Sequence, residues 1–297
     1  MDKVVGDGNQ GPSEAGYHFL QDYKNCKRYT YHKYVDDVEG SWTAPALLFG
    51  LAGHAGLEAF YLGLKNKLPL GQRIKDAVGA FQDQMHKVRS LYEYNTAFEE
   101  DLDRGSSAIR EYGLYYPDDP WHIVAIEETL SIVLPSGNRT TCRIDLVVKD
   151  QRGDILMVDH KFTGWSLNLF KNTLKVSDQT THYKAIWDYN HPEMPVRGII
   201  YNVIRAYKDN PPDYDRLPIF KTTQDVDEYI LDIDEEFEDM RNRFMTPDAR
   251  WPKNTGQCFK YNRLCEFSPI CMGARNVEAL VGLQLKRRNH QFGGVEN

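Results

Sequence analysis

Asp145, Asp159 and Lys161 are the residues of this chain whose types and spacing could do chemistry. Asp159 and Lys161 stand two apart in the apolar run 155–162, and strand side chains repeat every two residues, so both project from one face. The preceding run, 140–149, is joined to it by Asp150-Gln-Arg-Gly-Asp154. If Gln151 to Gly153 form a three-residue loop with Gly153 left-handed, Asp150 opposes Asp154, and the same register sets Asp145 opposite Asp159. Two facing acids beside a lysine can hold a divalent cation next to a phosphate. Mg2+ or Mn2+ prefers such oxygen ligands. A water beside the ion can then attack phosphorus, with the ion stabilising charge on the oxygens. Lys161 would orient or help deprotonate that water, or neutralise the developing charge. On spacing alone, a surface hairpin carrying a Lys–Asp pair accounts for the same residues.

Alternation along 140–149 separates Cys142, Ile144, Leu146 and Val148 from Arg143, Asp145 and Val147. Cys142 therefore belongs on the core side, away from Asp145. The acids stand on a partly apolar surface, where an unpaired carboxylate is costly and a cation offsets the cost. Glu127 and Glu128 precede them on the neighbouring strand; one could be an extra ligand, but a solvated strand face is the expected reading.

The elements that position these residues can be read from periodicity. Helices are expected over 17–35, 45–64, 74–88 and 98–112, the second opened by Pro45 at its first turn. Strands follow at 123–133, 140–149 and 155–162, separated by turn residues, as a meander. A helix over 177–189, capped by Ser177 or Asp178, a strand at 196–206 and a long acidic helix over 225–244 complete the pattern. From Met245 the chain reads as irregular, and the basic end from Lys286 as a mobile tail. This order fits an α/β sandwich with a mixed sheet. Two features bear on the site. His54 lies mid-helix among Gly50, Gly53 and Gly56, which disfavour a helix unless it approaches something closely. Gln179 and Tyr183 lie four apart, on one helix face.

Length and composition limit the rest. The 297 residues suffice for one large domain or two small ones. A net charge of −7 excludes a bulk polycation, so nucleic-acid binding must rest on a local basic surface. The polar, Gly-rich segment 1–12 carries no signal pattern and reads as a disordered leader. The longest apolar stretch, 42–57, is too short to span a bilayer, so no membrane role is expected. Five cysteines without a signal sequence indicate a reducing compartment, in which clustered Cys are metal ligands before they are disulfides. No phosphate-binding loop of the Gly-x-x-x-x-Gly-Lys type occurs, so the chain carries no helicase motor of that kind.

The motifs occur in a particular order: Asn25-Cys26-Lys-Arg-Tyr29, Gly50-x-x-x-His54, Arg143-Ile-Asp145, Asp159-His-Lys161, Gln179-x-x-x-Tyr183 and a late Cys trio. In that order, over 17–271, the chain resembles the RecB-like branch of the PD-(D/E)xK nucleases, including the AddB-type and CRISPR-associated RecB-like exonucleases. The resemblance implies a restriction-endonuclease-like core, a central mixed β-sheet flanked by helices, with a helical N-terminal region and a Cys-rich C-terminal segment. It implies one nuclease domain over 13–275 (helical part 13–120, catalytic sheet 121–207, Cys-rich segment 245–275) followed by a basic tail, 276–297. His54, Asp145, Asp159 and the backbone carbonyl of His160 would be metal ligands. Lys161 would be the catalytic lysine, and Gln179 and Tyr183 would position the substrate backbone or support the site. The position before Arg143 departs from the family's usual Gly and is Cys142.

Cys258, Cys265 and Cys271 lie in a segment with little regular pattern, and three Cys need a fourth ligand for a closed site. In the resembling family an N-terminal Cys, here Cys26, joins such a trio around a 4Fe–4S cluster, which would close a very long loop. The first spacing within the trio is longer than the family's close pair, which leaves zinc or no metal as alternatives. Lys24, Lys27, Arg28 and Lys33, with Lys260, Arg263, Arg275 and Lys286 to Arg288, would then form a basic patch interleaved with aromatics. That suits single-stranded DNA; scattered surface charge is the alternative. The function expected is that of a metal-dependent DNase, an exonuclease acting on single strands or ends in repair, recombination, phage replication or CRISPR adaptation. Its setting would be a prokaryotic or phage-infected cytoplasm, with a helicase, recombinase or integration complex as partner. A catalytically silent DNA-binding subunit and an RNA-directed nuclease are the alternatives.

Overall fold

The structure is a computed structural model and describes residues 16–164, 167–260, 263–274 and 276–288. The leader 1–12, Arg275 and the end of the basic stretch lie outside the described residues. In chain order the elements are α1 (Tyr17–Asn25), α2 (Lys27–Tyr34), β1 (Val38–Gly40), α3 (Pro45–Lys65), α4 (Leu70–Lys87) and α5 (Asn95–Tyr115). There follow β2 (His122–Val133), β3 (Arg139–Lys149), β4 (Ile155–Thr163), α6 (Leu167–Lys175), α7 (Gln179–Asn190), β5 (Val196–Arg205) and β6 (Asp213–Ile219). The last are α8 (Thr223–Met245), β7 (Phe259–Lys260), β8 (Arg263–Leu264) and β9 (Leu285–Arg287). Two compact units result, one of Thr43–Thr129 with Arg143–Asp225, the other of Met1–Trp42, Leu130–Cys142 and Val226–Asn297.

The first of these units is built on the five-stranded sheet β2-β3-β4-β5-β6. β3 and β4 are antiparallel, β4 and β5 parallel through the α6–α7 crossover, and β5 and β6 antiparallel. A meander, a helical crossover and a strand parallel to β4 make a mixed central sheet flanked by helices, the α/β class expected. On one face Leu146, Val148, Val158 and Ile204 meet Phe49, Leu57 and Phe60 of α3, Phe81 of α4 and Phe98 and Ile109 of α5. Each of these large apolar side chains contributes about 1.5–3 kcal/mol by burial. On the other face Tyr201 and Val203 meet Leu174 of α6 and Leu217 and Ile219 of β6.

The β3–β4 turn follows its glycine. Gly153 has φ +91, its N–H donates to Asp150 O (3.1 Å), and Asp150 N donates to Asp154 O (3.0 Å). The register runs Lys149↔Ile155 to Leu146↔Val158, as a three-residue loop at Gln151 to Gly153 requires. α7 starts near the expected cap: Asp178 makes no side-chain cap bond, while Gln179 N donates to Ser177 Oγ at 3.3 Å.

Several expectations are corrected. The helix over 17–35 is broken at Cys26, whose backbone is extended (φ −160, ψ 108). The break is stabilised from outside the helix: Arg28 N donates to Pro252 O (3.1 Å), and Asn254 N to Cys26 Sγ (3.4 Å). α6 and β6 were not foreseen. The segment after Met245 is not wholly irregular, since β7 and β8 pair as a short hairpin. Nor is the basic stretch free at its start: β9 pairs with β1, and Lys286 lies 3.3 Å from Glu39. The apolar stretch 42–57 belongs to α3, whose 21 residues are long and apolar enough to cross a membrane by length and composition. Half of that helix's apolar window is buried, with Ala52, Leu57, Phe60 and Tyr61 in the core.

Candidate functional site

α3 carries His54 to the sheet, and its glycines explain how. A Cβ on Gly53 would stand 2.3 Å from the Phe162 ring, just past Lys161, and one on Gly56 would stand 3.1 Å from Ala77 O. The close approach expected of this helix is thus real at Gly53 and Gly56, while Gly50 meets nothing within 4 Å. Gly53→Ala is expected to cost about 1–3 kcal/mol, because the Phe162 ring it displaces also packs on Phe49 and His54. Gly50→Ala is expected to be neutral or to stabilise by up to about 1 kcal/mol. Urea denaturation of the two variants checks this contrast.

Asp145 is the node of the site. Its Oδ2 lies 3.2 Å from His54 Nδ1 and accepts a hydrogen bond from His160 N at 2.7 Å. Its side chain is 10 % exposed. Burial alone would raise the Asp145 pKa, but the His54 charge and hydrogen bond outweigh it, with His160 and Lys161 adding, and hold the carboxyl well below its usual range. Burial lowers His54, yet the Asp145 charge and hydrogen bond raise it above its ordinary value. Each partner thus favours the charged form of the other.

Asp159 and Lys161 share a face, as expected, with Lys161 Nζ 2.6 Å from Asp159 Oδ2 and 5.8 Å from the Tyr201 ring. Despite that proximity the buried Oδ2 has no hydrogen bond of acceptable direction. Burial raises the Asp159 pKa, Lys161 lowers it and the neighbouring Asp145 raises it further, leaving it above the ordinary carboxylate value. A buried carboxylate oxygen without a directional donor, next to a second acid, is what a divalent cation would satisfy.

Glu127 was expected on a solvated strand face, and the structure corrects this. Its carboxylate, His54 and Asp145 offer ligand atoms all within 4.8 Å of one another, and its side chain is 18 % exposed. Its φ of +50 is left-handed, unusual for a non-glycine within a strand. Such a kink breaks alternation, re-aims the side chain and costs on the order of 1–3 kcal/mol. Burial and the Asp145 charge push its pKa up to about 7 against the opposing pull of Arg143, whose Nε is 3.0 Å away. Strand parity could not have revealed this placement, because the kink at Glu127 itself interrupts the alternation.

Behind the strand, His160 does more than offer a carbonyl. Its ring is buried and stacked on Tyr61, with centroids 5.6 Å apart and planes at 9°. Asn202 Nδ2 donates to its Nδ1 (2.9 Å) and to Tyr112 OH (3.0 Å). Tyr61 donates to Asp119 (2.8 Å), which Arg216 grips at 2.6 and 2.8 Å. Burial lowers the His160 pKa to about 3, so the ring is neutral. Anchoring residue 160 on the helix side fixes residues 159 and 161 toward the other side. Gln179 Nε2 donates to Tyr183 OH at 2.9 Å, so this pair too shares a face.

His54, Glu127 and Asp145 together form a possible carboxylate and imidazole site of the kind that suits a divalent metal ion.

The cysteines Cys26, Cys258, Cys265 and Cys271 lie in the other unit, none in a disulfide, and Cys142 is buried apart on β3. The β7–β8 hairpin explains the long first spacing: it returns Cys265 to Cys258, whose carbonyl accepts from Cys265 N at 2.8 Å. Burial pushes the Cys265 thiol up to about 11, helped by Glu266, Cys271 and Cys258. Cys271 is raised by burial and then by Cys26 and Cys258. Cys265 and Cys271 thus each feel neighbouring cysteines, Cys258 among them in both cases, and thiols gathered in one neighbourhood are the donor type a soft metal takes. Of the basic residues singled out, Lys27 pairs with Asp239 and Arg28 Nε donates to Trp251 O (2.8 Å). Lys260 and Arg263 are exposed, with the Arg263 guanidinium 3.9 Å over Trp42.

No family model matches this chain, and no curated protein does. Among solved structures it is similar to a candidate exonuclease from Eubacterium rectale, at 15 % identity and TM-score 0.47, covering 88 % of this chain and 92 % of that one. It is also similar to the protein SSO0001, at 14 % identity and TM-score 0.34, covering 86 % of this chain and 95 % of that one.

Proposed function

We propose that this chain is a metal-dependent nuclease of the RecB-like PD-(D/E)xK type, hydrolysing DNA phosphodiesters at ends or in single strands. The observation that carries the reading is the convergence of His54, Glu127, Asp145, Asp159 and Lys161 at one place on the sheet. His54, Asp145 and Asp159, with Glu127 and the His160 carbonyl, would hold Mg2+ or Mn2+. Such an ion supplies charge stabilisation at phosphorus and a more acidic water. Lys161 Nζ would orient the attacking water or meet the negative charge growing on the phosphate. Gln179 and Tyr183 would hold the substrate backbone as a unit.

The four cysteines would hold a 4Fe–4S cluster, a reading supported by the hairpin that returns Cys265 to Cys258 and by the charge effects of Cys26 and Cys258 on Cys271. Arg263 over Trp42 and the exposed Lys260 would form a stacking and charge platform for a single strand. A cytoplasmic setting suits a reduced cysteine set, and a helicase, recombinase or integration complex is the class of partner proposed.

The test is hydrolysis of end-labelled single- and double-stranded DNA with Mn2+, with Mg2+ and with chelator, beside an RNA of the same sequence. Metal-dependent loss of the DNA label is expected. RNA cleavage alone would move the reading to a ribonuclease, and inertness toward every polymer would leave only a binding role.

A further inference from the structure

His32, on α2, is not accounted for by the nuclease site, and its surroundings are specific. Its side chain is 4 % exposed, and its Nδ1 lies 2.7 Å from Asp36 Oδ2. On the opposite side of the ring, Nε2 lies 3.7 Å from Cys271 Sγ. The ring packs on Phe267 at 5.4 Å. A buried imidazole needs a partner for both nitrogens, and here one faces a carboxylate and the other a sulfur. A carboxylate that fixes a ring whose other nitrogen meets a sulfur can orient that sulfur, as outer-shell groups orient the ligands of a metal centre. A cavity of about 460 Å3, lined by Arg28, Tyr31, His32, Asp36, Lys253 and Cys271 among others, lies beside the pair.

We propose that His32 is a positioning residue of the cysteine centre: its ring, an imidazolium held between two acceptors, donates Nδ1–H to Asp36 and Nε2–H to the Cys271 sulfur, with Asp36 and the thiolate charge of the centre balancing it. This rests on the reading of Cys26, Cys258, Cys265 and Cys271 as cluster ligands. It adds that the cluster is tuned from α2, at one ligand, because hydrogen bonds to the sulfurs set a cluster's reduction potential and help retain it.

The full chain, reconstituted anaerobically with iron and sulfide, is compared with His32→Phe, Asp36→Asn and Cys271→Ala. The readouts are iron content, iron release to a ferrous chelator and midpoint potential. His32→Phe keeps the ring's shape without its nitrogens. It is expected to load iron like the wild type, to release it about 10-fold faster or more, and to show a lower potential. A tenfold change in the one-electron equilibrium is about 59 mV. Asp36→Asn is expected to move both in the same direction and by less. Wild-type release and potential in His32→Phe would overturn the proposal while leaving the cluster in place. If His32→Phe fails to load iron, Asp36→Asn decides, a lowered potential supporting the proposal and an unchanged one overturning it. An iron-free wild type, or full iron in Cys271→Ala, would remove the cluster reading and this proposal together.

Discussion

Lys161→Ala is expected to slow DNA hydrolysis by about 10²–10³-fold while divalent-metal binding survives. The lysine stands 2.6 Å from Asp159 Oδ2, so its removal takes away a positive charge without removing a metal donor. Metal affinity, read by titration calorimetry, is expected to be unchanged or higher, because two neighbouring acids lose a competing cation. Asp145→Asn is expected to behave differently. Asp145 links His54 to the backbone of His160, so this variant should lose rate and metal affinity together, by at least as large a factor in rate. A Lys161→Ala enzyme as fast as the wild type, or an Asp145→Asn protein that binds Mn2+ normally, would count against the assigned roles.

Glu127→Gln is expected to remove a pH dependence of stability that the wild type shows in chelator. The Glu127 pKa is about 7 in the folded protein against an ordinary 4.5. Between these values the folded state holds a proton that the unfolded chain has released. Stability therefore falls as pH rises from about 4.5 to about 7, by up to about 3 kcal/mol from this group. Other groups titrate in the same window, so the difference between wild type and variant isolates Glu127. Urea denaturation at pH 5 and pH 8 reads it, and identical slopes in the two proteins would show that the carboxylate is not held in this way. The same proton competes with a cation, so Mn2+ affinity should weaken below about pH 7 in the wild type and less so in the variant.

Much of the candidate site was legible because it is local. The β3–β4 register follows from one left-handed glycine and a three-residue loop, and the shared face of Asp159 and Lys161 follows from strand periodicity. The glycines around His54 pointed to a tight packing contact, though not to its partner, Phe162. α6 and β6 escaped because short elements carry little periodic signal, and the break at Cys26 because its hydrogen bonds come from Pro252 and Asn254.

By itself, then, the sequence determined which side chains share a strand or helix face, where the chain turns, and the order of helix, meander and crossover. Periodicity and turn chemistry act over a few residues, and those are enough. Only the tertiary structure decided that Glu127 joins His54 and Asp145, that His160 is locked by Tyr61 and Asn202, and that His32 meets Cys271. These contacts join residues tens to hundreds of positions apart. Their geometry depends on how buried surfaces pack and on where a buried polar group finds its partner, which no local pattern encodes.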